Sequence, residues 1–288
     1  YFDTLITNHE PTINAGIAVA NIDEAALAQN GQWPWPRGQY ANLISDLYAH
    51  GAGLVVWNVL MPEADRAGED KMLAELMSIK PTVLANVPGA TDKNTPRKPG
   101  SAVVNAQFAD RLITLPGIIA NVADLEANAA GVGSVMTLPE IDGVTRRMPL
   151  IVTKDGKIYP SLAMEALRVA AKDSTVQVKL SEIGIDKMRI PKWGAFTTDR
   201  LGRIWIDWSQ TVPSFSVTKI PQDLKGAVVI VGVSAAGIGN PVATARGAVW
   251  PQDVQAAVLA TMVNKVNIER ADWADGAELI GILVLGVI

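Results

Sequence analysis

Cysteine is absent from this 288-residue chain, which removes disulfides, zinc–thiolate centres and cysteine nucleophiles together. The absence fits an oxidising compartment such as a bacterial periplasm, and the cytosol permits it equally. Histidine is scarce: His9 and His50 are the two, a poor supply for a multi-histidine metal site or a Ser-His-Asp relay. His50 stands just before Gly51, where a cation suits the end of a helix. Charged residues make up 19% of the chain and hydrophobic ones 49%, so most of it has the apolar content to fold. The net charge is −4 with no long basic run. A nucleic-acid groove needs clustered Lys and Arg, so nucleic acid is not an expected partner. No cofactor or metal is expected either.

Long apolar runs are also missing until the C-terminus. From Leu279 the chain reads LIGILVLGVI, without a charge. A core helix of that length normally shows a polar face, whereas a bilayer span needs about 20 such residues. The run is read as the first part of a membrane helix, the competing reading being a C-terminal core helix. Upstream, IERADWADGAE (Ile268 to Glu278) puts charges and Trp273 where an interfacial anchor sits. The expected division is a domain over residues 1–276 and the start of a transmembrane helix over 277–288. The opening YFDTLITNHE fits a chain that continues from another segment and alone establishes nothing.

What is present points to α/β architecture. GIAVANID (Gly16 to Asp23) and GLVVWNVL (Gly53 to Leu60) are continuous apolar runs, as strands buried on both faces are. Between them Tyr40, Leu43, Ile44, Leu47 and Tyr48 form one helical stripe, so strand, helix and strand predict a parallel crossover. A second helix is expected over Glu69 to Lys80, a strand over Thr82 to Val87, an exposed loop over Pro88 to Ser101, and short strands in Gly117–Val122 and Gly131–Met136. The middle changes character. A hairpin turning at Asp155-Gly156 leads to a helix over Pro160 to Lys172. VQVKL, DKMRIPKW and DRLGRIWIDW then alternate as half-exposed antiparallel strands do. GAVVIVGV and a helix with Pro251 at N1 restore the α/β rhythm as partners of the first strands. The expected fold is a mainly parallel central sheet flanked by helices, with an inserted antiparallel β region and the truncated transmembrane helix.

Candidate chemistry is sparse. In WPWPR, Trp33 to Arg37, each Pro removes a donor and confines its predecessor to extended geometry, so the segment is an irregular aromatic connection. It is read as closing the end of the core, with Trp33 and Trp35 as caps and Arg37 paired to a strand-end acid such as Asp23; a ligand platform is the alternative. GVSAAGIGN after the last strand carries glycines without the G-x-G-x-x-G spacing, and a turn at a close backbone approach explains them. Ser234 in it has no histidine base. Asp23, Glu24, Asn58, Asp65, Glu69 and Asp70 could ring a cation at the sheet edge, although acids there also serve as helix caps. Trp193, Trp205, Trp208, Trp250 and Trp273 are read as packing groups or membrane-proximal anchors.

Three blocks carry a resemblance. VANIDEAALAQNGQWPWPRGQYANLISDLYAHGAGLVVWNVLMPEAD resembles the start of the second type of CHASE domain (CHASE2), an extracellular sensory domain associated with cyclases and histidine kinases. DGVTRRMPLIVTKDGKIYPSLAMEAL is similar to its middle block, and LKGAVVIVGVSAAGIGNPVATARGAVWPQDVQAAVL to its closing block. The likeness covers nearly the whole chain. Asn58 and Asn240 stand where the family usually has acids, so a pocket built on those acids would differ here. The resemblance implies a periplasmic or extracellular input module without catalysis. It would be held at the inner membrane, act as a homodimer, answer an unidentified small-molecule or protein signal, and pass it to a cytoplasmic cyclase, kinase or cyclic-dinucleotide domain. Candidate ligand residues are Asp23, Glu24, Trp33, Trp35, Arg37, Asn58, Ser234 and Asn240. The alternatives are a cation-dependent hydrolase at the sheet edge and a dimerisation scaffold without ligand.

Overall fold

The computed structural model describes residue 3 and residues 16–97, 101–266, 268 and 274–286. His9 and Trp273 lie outside these, as do most of the opening residues.

Strand β1 (Ile17–Ile22) leads through helices α1 (Glu24–Asn30) and α2 (Arg37–Ala49) to β2 (Leu54–Trp57). Helix α3 (Asp70–Ile79) and β3 (Thr82–Gly89) follow. The α2 stripe is real: Tyr40, Leu43, Ile44 and Leu47 are buried, and Tyr48 is half-buried at its end. His50 is the C-cap and its Nδ1 lies 2.7 Å from the Asp46 carbonyl, with Gly51 beyond it at φ +86°, a value only glycine adopts freely.

The expected parallel crossover is present, with a third strand set inside it. β1 and β2 are parallel members of one sheet but not neighbours, because β15 (Val228–Val233) lies between them. Ile17 to Ile22 run in register with Val228 to Val233, and Val228 to Val231 pair in turn with Leu54 to Trp57. Beyond β2 the sheet continues to β3. The outer edge of β3 is shared: β6 (Gly131–Ser134) pairs in parallel with its first half and β5 (Gly117–Ile119) antiparallel with its second. On the far side β14 (Ser214–Ser216) pairs parallel with β1. The central strands carry apolar side chains on both faces because both faces are covered.

One face holds α1, α2, α3 and α4 (Ala123–Asn128) against Ala20, Ile22, Val55, Trp57 and Val231. The other holds α5 (Leu162–Ala170) and α6 (Pro251–Val263) against Val19, Val56, Val83 and Ile230. Helix α5 sits on β6 where the sequence is GVGS. A Cβ at Gly133 would fall 2.5 Å from the Leu162 Cα, and one at Gly131 would fall 2.2 Å from a Glu165 oxygen, so only glycine permits this approach.

The inserted region divides more than the alternation predicts. β10 (Val176–Ser181), β11 (Gly184–Ile190) and β12 (Gly194–Phe196) form an antiparallel sheet to which β4 (Ser101–Val104) adds in parallel. The DRLGRIWIDW segment joins a different ribbon, β13 (Arg203–Trp205) on β7 (Arg147–Pro149). The hairpin β8 (Ile151–Lys154) and β9 (Lys157–Pro160) turns at Asp155 and Gly156, both with positive φ, as expected. The segment between Pro88 and Ser101 is less free than a bare loop: Pro88 and Gly89 complete β3, and Lys93 bridges Ile119. A last small hairpin, β16 (Val242–Thr244) and β17 (Gly247–Val249), precedes α6.

Helix α7 (Ala274–Gly286) carries Leu279, Ile280, Ile282, Leu283, Val284 and Leu285, all exposed. It does not fold back into the core. No helix among the described residues is long and apolar enough to cross a membrane.

Asp253, in the first turn of α6, lines a cavity of about 180 Å³ with Trp208 and Arg246. Burial pushes its carboxyl up to about 6, against the pull of Arg246. An unfolded aspartate titrates near 3.9, so between about pH 4 and 6 the folded chain binds the extra proton and loses stability as pH rises. Asp253→Asn abolishes this dependence. Its thermal midpoint is expected to gain on the parent's through that window and to hold a constant lead above it; a lead that does not vary with pH would refute the assignment.

Candidate functional site

Ligands of open parallel sheets bind outside the carboxyl ends of the strands. Here that edge is split between two structures.

Above β1 and β15 the polar groups are engaged in holding backbone. Asp23 caps α1, its Oδ1 accepting from the Ala26 amide at 2.9 Å, and it also accepts from the Ser216 hydroxyl at 3.0 Å, which ties β14 down. Glu24 Oε1 accepts from the Ala236 amide at 2.8 Å, and this bond holds its carboxyl below the usual range. The Ser234 amide donates to the Ile22 carbonyl at 3.0 Å. The glycine loop is a turn at a close approach: Gly237 has φ +81°, and a Cβ at Gly239 would lie 2.8 Å from the Val233 carbonyl. Asn240 points to solvent beyond it. Asn58 is half-buried at the end of β2, its amide donating to the Val231 carbonyl at 2.8 Å.

Beside β2 the Trp-Pro segment builds a cleft. Trp35 is buried at 3% exposure and its indole N–H donates to the Gly31 carbonyl at 3.0 Å. Trp33, half-buried, meets Trp35 edge-on with centroids 5.7 Å apart and lies 5.8 Å from the Tyr40 ring. Tyr40 in turn lies 5.1 Å from Trp57 at the sheet. The rings thus step from solvent to core, one pair edge-on and the others tilted, at the centroid spacings aromatic pairs prefer. Pro36, extended at ψ 156°, is the N-cap that starts α2.

Arg37 is buried at 7% exposure but does not pair with Asp23. Its Nε donates to Asp70 at 2.9 Å, its Nη2 donates to the Glu63 carbonyl at 2.7 Å, and its guanidinium stands 5.7 Å from the Tyr40 ring centroid. Asp70 is nearer because the loop after β2 folds back over the Trp-Pro segment. The same loop absorbs the acids that a cation would need. Asp70 Oδ2 accepts from the Asp65 amide, Asp65 Oδ2 from the Ala67 and Glu69 amides, and Glu69 Oε2 from the Gly38 amide at 2.7 Å. These bonds serve chain turns and helix starts. Among the described residues no group of three or more His, Cys, Asp or Glu is placed to hold a metal.

Between the Trp-Pro segment and residues 59–67 lies a cleft of about 560 Å³, walled by Trp33, Pro34, Tyr40, Met61, Pro62 and Arg66. Burial pushes the Tyr40 phenol up to about 12, so it stays protonated. The aromatic and proline walls are joined by the charged Glu63, Asp65 and Arg66, the inner guanidinium is matched by Asp70, and His50 lies at the far end of α2. Such a surface can bind a ligand. Of the proposed ligand residues, Trp33, Trp35 and Arg37 meet here, whereas Asp23, Glu24, Ser234 and Asn240 gather above β1 and β15. Met61, Pro62 and Arg66, the opposite wall, were not singled out by the sequence; the only local sign is the MPEADRAG turn chemistry after β2. Trp208 is buried, and Trp193, Trp205 and Trp250 are half-buried among packed residues.

No curated protein and no solved structure matches the chain. A family model, described as CHASE2 domain, matches residues 1–288. With the whole length covered, from the Trp-Pro block to the closing strand and helix, the chain belongs to the CHASE2 family of extracellular sensor domains.

Proposed function

We propose that this chain is the extracytoplasmic input domain of a membrane-anchored bacterial signalling protein. The full-length family match carries the reading. In it, residues 1–276 form the sensor in the periplasm or extracellular space, and α7 begins the segment that enters the inner membrane. The apolar residues of α7 support this, since Leu279 to Leu285 include six side chains between 58% and 76% exposed and none of the six is covered by the domain. Thirteen helical residues rise about 20 Å of the roughly 30 Å of a hydrocarbon core.

The domain works as a homodimer. A small-molecule or protein signal binds one arrangement of the dimer better than the other, and only that difference in affinity shifts the equilibrium toward the membrane helix. The output is a cytoplasmic cyclase, kinase or cyclic-dinucleotide enzyme. The cleft beside Trp33 supports a liganded sensor over a scaffold without ligand. Reporter fusions to the full-length protein test the orientation. Alkaline phosphatase joined within the surface turn at Asp155-Gly156 is expected to be active and β-galactosidase there inactive; the reverse pattern overturns the proposal.

A further inference from the structure

A second cleft, of about 500 Å³, opens on the inserted β region between the β7–β13 ribbon and the loop from β12. Arginines are more numerous in its lining than in that of the Trp-Pro cleft. Arg147, Arg200 and Arg203 line it together with one carboxylate, Asp199, and a second, Glu140, pairs with Arg147 outside the lining.

The hydrogen-bond count shows what is left over. Glu140 takes Arg147 in a two-pronged pair, Nε to Oε1 at 2.7 Å and Nη2 to Oε2 at 2.8 Å. Asp199 is saturated: Oδ1 accepts from the Leu201 and Arg203 amides at 3.0 and 2.9 Å, and Oδ2 from Arg147 Nη1 at 3.1 Å and Arg203 Nε at 2.7 Å. Arg203 makes that one side-chain hydrogen bond, and its Nη1 is 4.0 Å from Glu140, so its terminal N–H groups remain. Among the described residues Arg200 makes no side-chain hydrogen bond or ion pair at all, and the hydroxyls of Thr197 and Thr198 have no partner either. The neighbouring Arg146 is committed to Asp3 and Asp142. Among the described residues the cleft therefore holds one positive charge more than the carboxylates match, with unspent donors in a fork that fits a planar carboxylate.

The remaining wall is apolar. Trp205 lies under Arg147 with the guanidinium 4.7 Å from its ring centroid, and Leu201, Ile185 and Ile268 complete the surface. We propose that this cleft is a binding site for a small organic carboxylate, its anionic end on Arg200, Arg203 and the two threonines and its apolar end on Trp205 and Leu201. Ile268 lies between α6 and α7, so a bound carboxylate touches the stretch that leads to the exposed helix. If the sensor reading holds, that contact is a route for the signal; the site itself does not depend on it.

The test uses residues 1–288 in low-salt buffer, with benzoate as probe and the indole N–H signals of the eight tryptophans followed by NMR. Benzoate is expected to shift the Trp205 signal saturably and to leave that of Trp33 in place. Arg200→Ala should weaken binding about tenfold or more, as loss of a charged hydrogen-bond donor does, and Thr197→Val/Thr198→Val severalfold. Neutral benzamide should not bind. An Arg66→Ala control in the other cleft should bind benzoate normally. No Trp205 shift up to millimolar benzoate, equal binding by benzamide, or unchanged affinity in Arg200→Ala with the fold intact would each overturn the site. Equal affinity for inorganic phosphate would overturn the assignment to carboxylates. None of these results bears on which side of the membrane the domain stands, which the fusions decide.

Discussion

Glu165→Ala is expected to lower folding stability by about 3–5 kcal/mol, the cost of stranding a buried charge. Glu165 is 4% exposed on α5 and its partner Arg168, one turn on, is 9% exposed. They make a two-pronged pair, Nε to Oε2 at 2.8 Å and Nη2 to Oε1 at 2.6 Å. The guanidinium also donates to the carbonyls of Asp173 and Ala130, stitching the end of α5 to the chain on either side. Without Glu165 those carbonyls alone face a cation cut off from water. Arg168→Ala should cost a similar amount for the mirror reason. Replacing both with methionine is expected to recover most of the loss, since an apolar pair of like volume avoids the desolvation. Urea denaturation of the three variants decides it, and a double variant no better than either single would show that the pair contributes more than its own neutralisation.

Trp35→Ala should be comparably damaging, about 3–5 kcal/mol, through the cavity left at the base of the aromatic steps and the lost bond to Gly31. Trp33→Ala should cost only about 1 kcal/mol, because its ring is half in solvent and contributes chiefly an edge-on contact. The contrast separates the two roles of the Trp-Pro segment. Trp35 closes the core, and Trp33 forms the cleft's wall. Equal losses in thermal denaturation, or a Trp33 variant as unstable as the Trp35 one, would remove the distinction.

Much of the body was legible because its rules are local. β1, β2 and β15 are buried on both faces, so Ile17–Ile22, Leu54–Trp57 and Val228–Val233 appear as unbroken apolar runs. Helix α2 shows its stripe, α6 its Pro251, and the β8–β9 turn its Asp-Gly. The short helix α1 went unrecognised although Asp23, the run AALAQ and Gly31 supply a cap, helix formers and a stop. Strand order is different in kind. Nothing within Val228–Val233 says that it separates β1 from β2, since pairing is settled by packing across the whole chain. The same holds for Arg37. Several acids were equally good partners on paper, and Asp70 wins because the loop after β2 returns over the Trp-Pro segment. Helix α4 was missed for a related reason. Its Glu126 is buried and binds the Asn121 amide and side chain at 3.0 and 2.8 Å, a polar core that apolar periodicity does not reveal. The carboxylate cleft escaped notice because its arginines come from β7 and from the Asp199–Arg203 turn, far apart in sequence.

The late arrival of β15 has a consequence for how the molecule is made. As a ribosome delivers the chain, β1 and β2 emerge early, yet the strand that joins them is the fifteenth of the seventeen among the described residues. Until it appears, the inner edges of both have no native neighbour, and contacts so distant along the chain form slowly. The sheet therefore closes at its centre, and only once Val228 to Val233 have been made. A product stopped anywhere before Val228 is two incomplete fragments with open edges, not a smaller version of the domain.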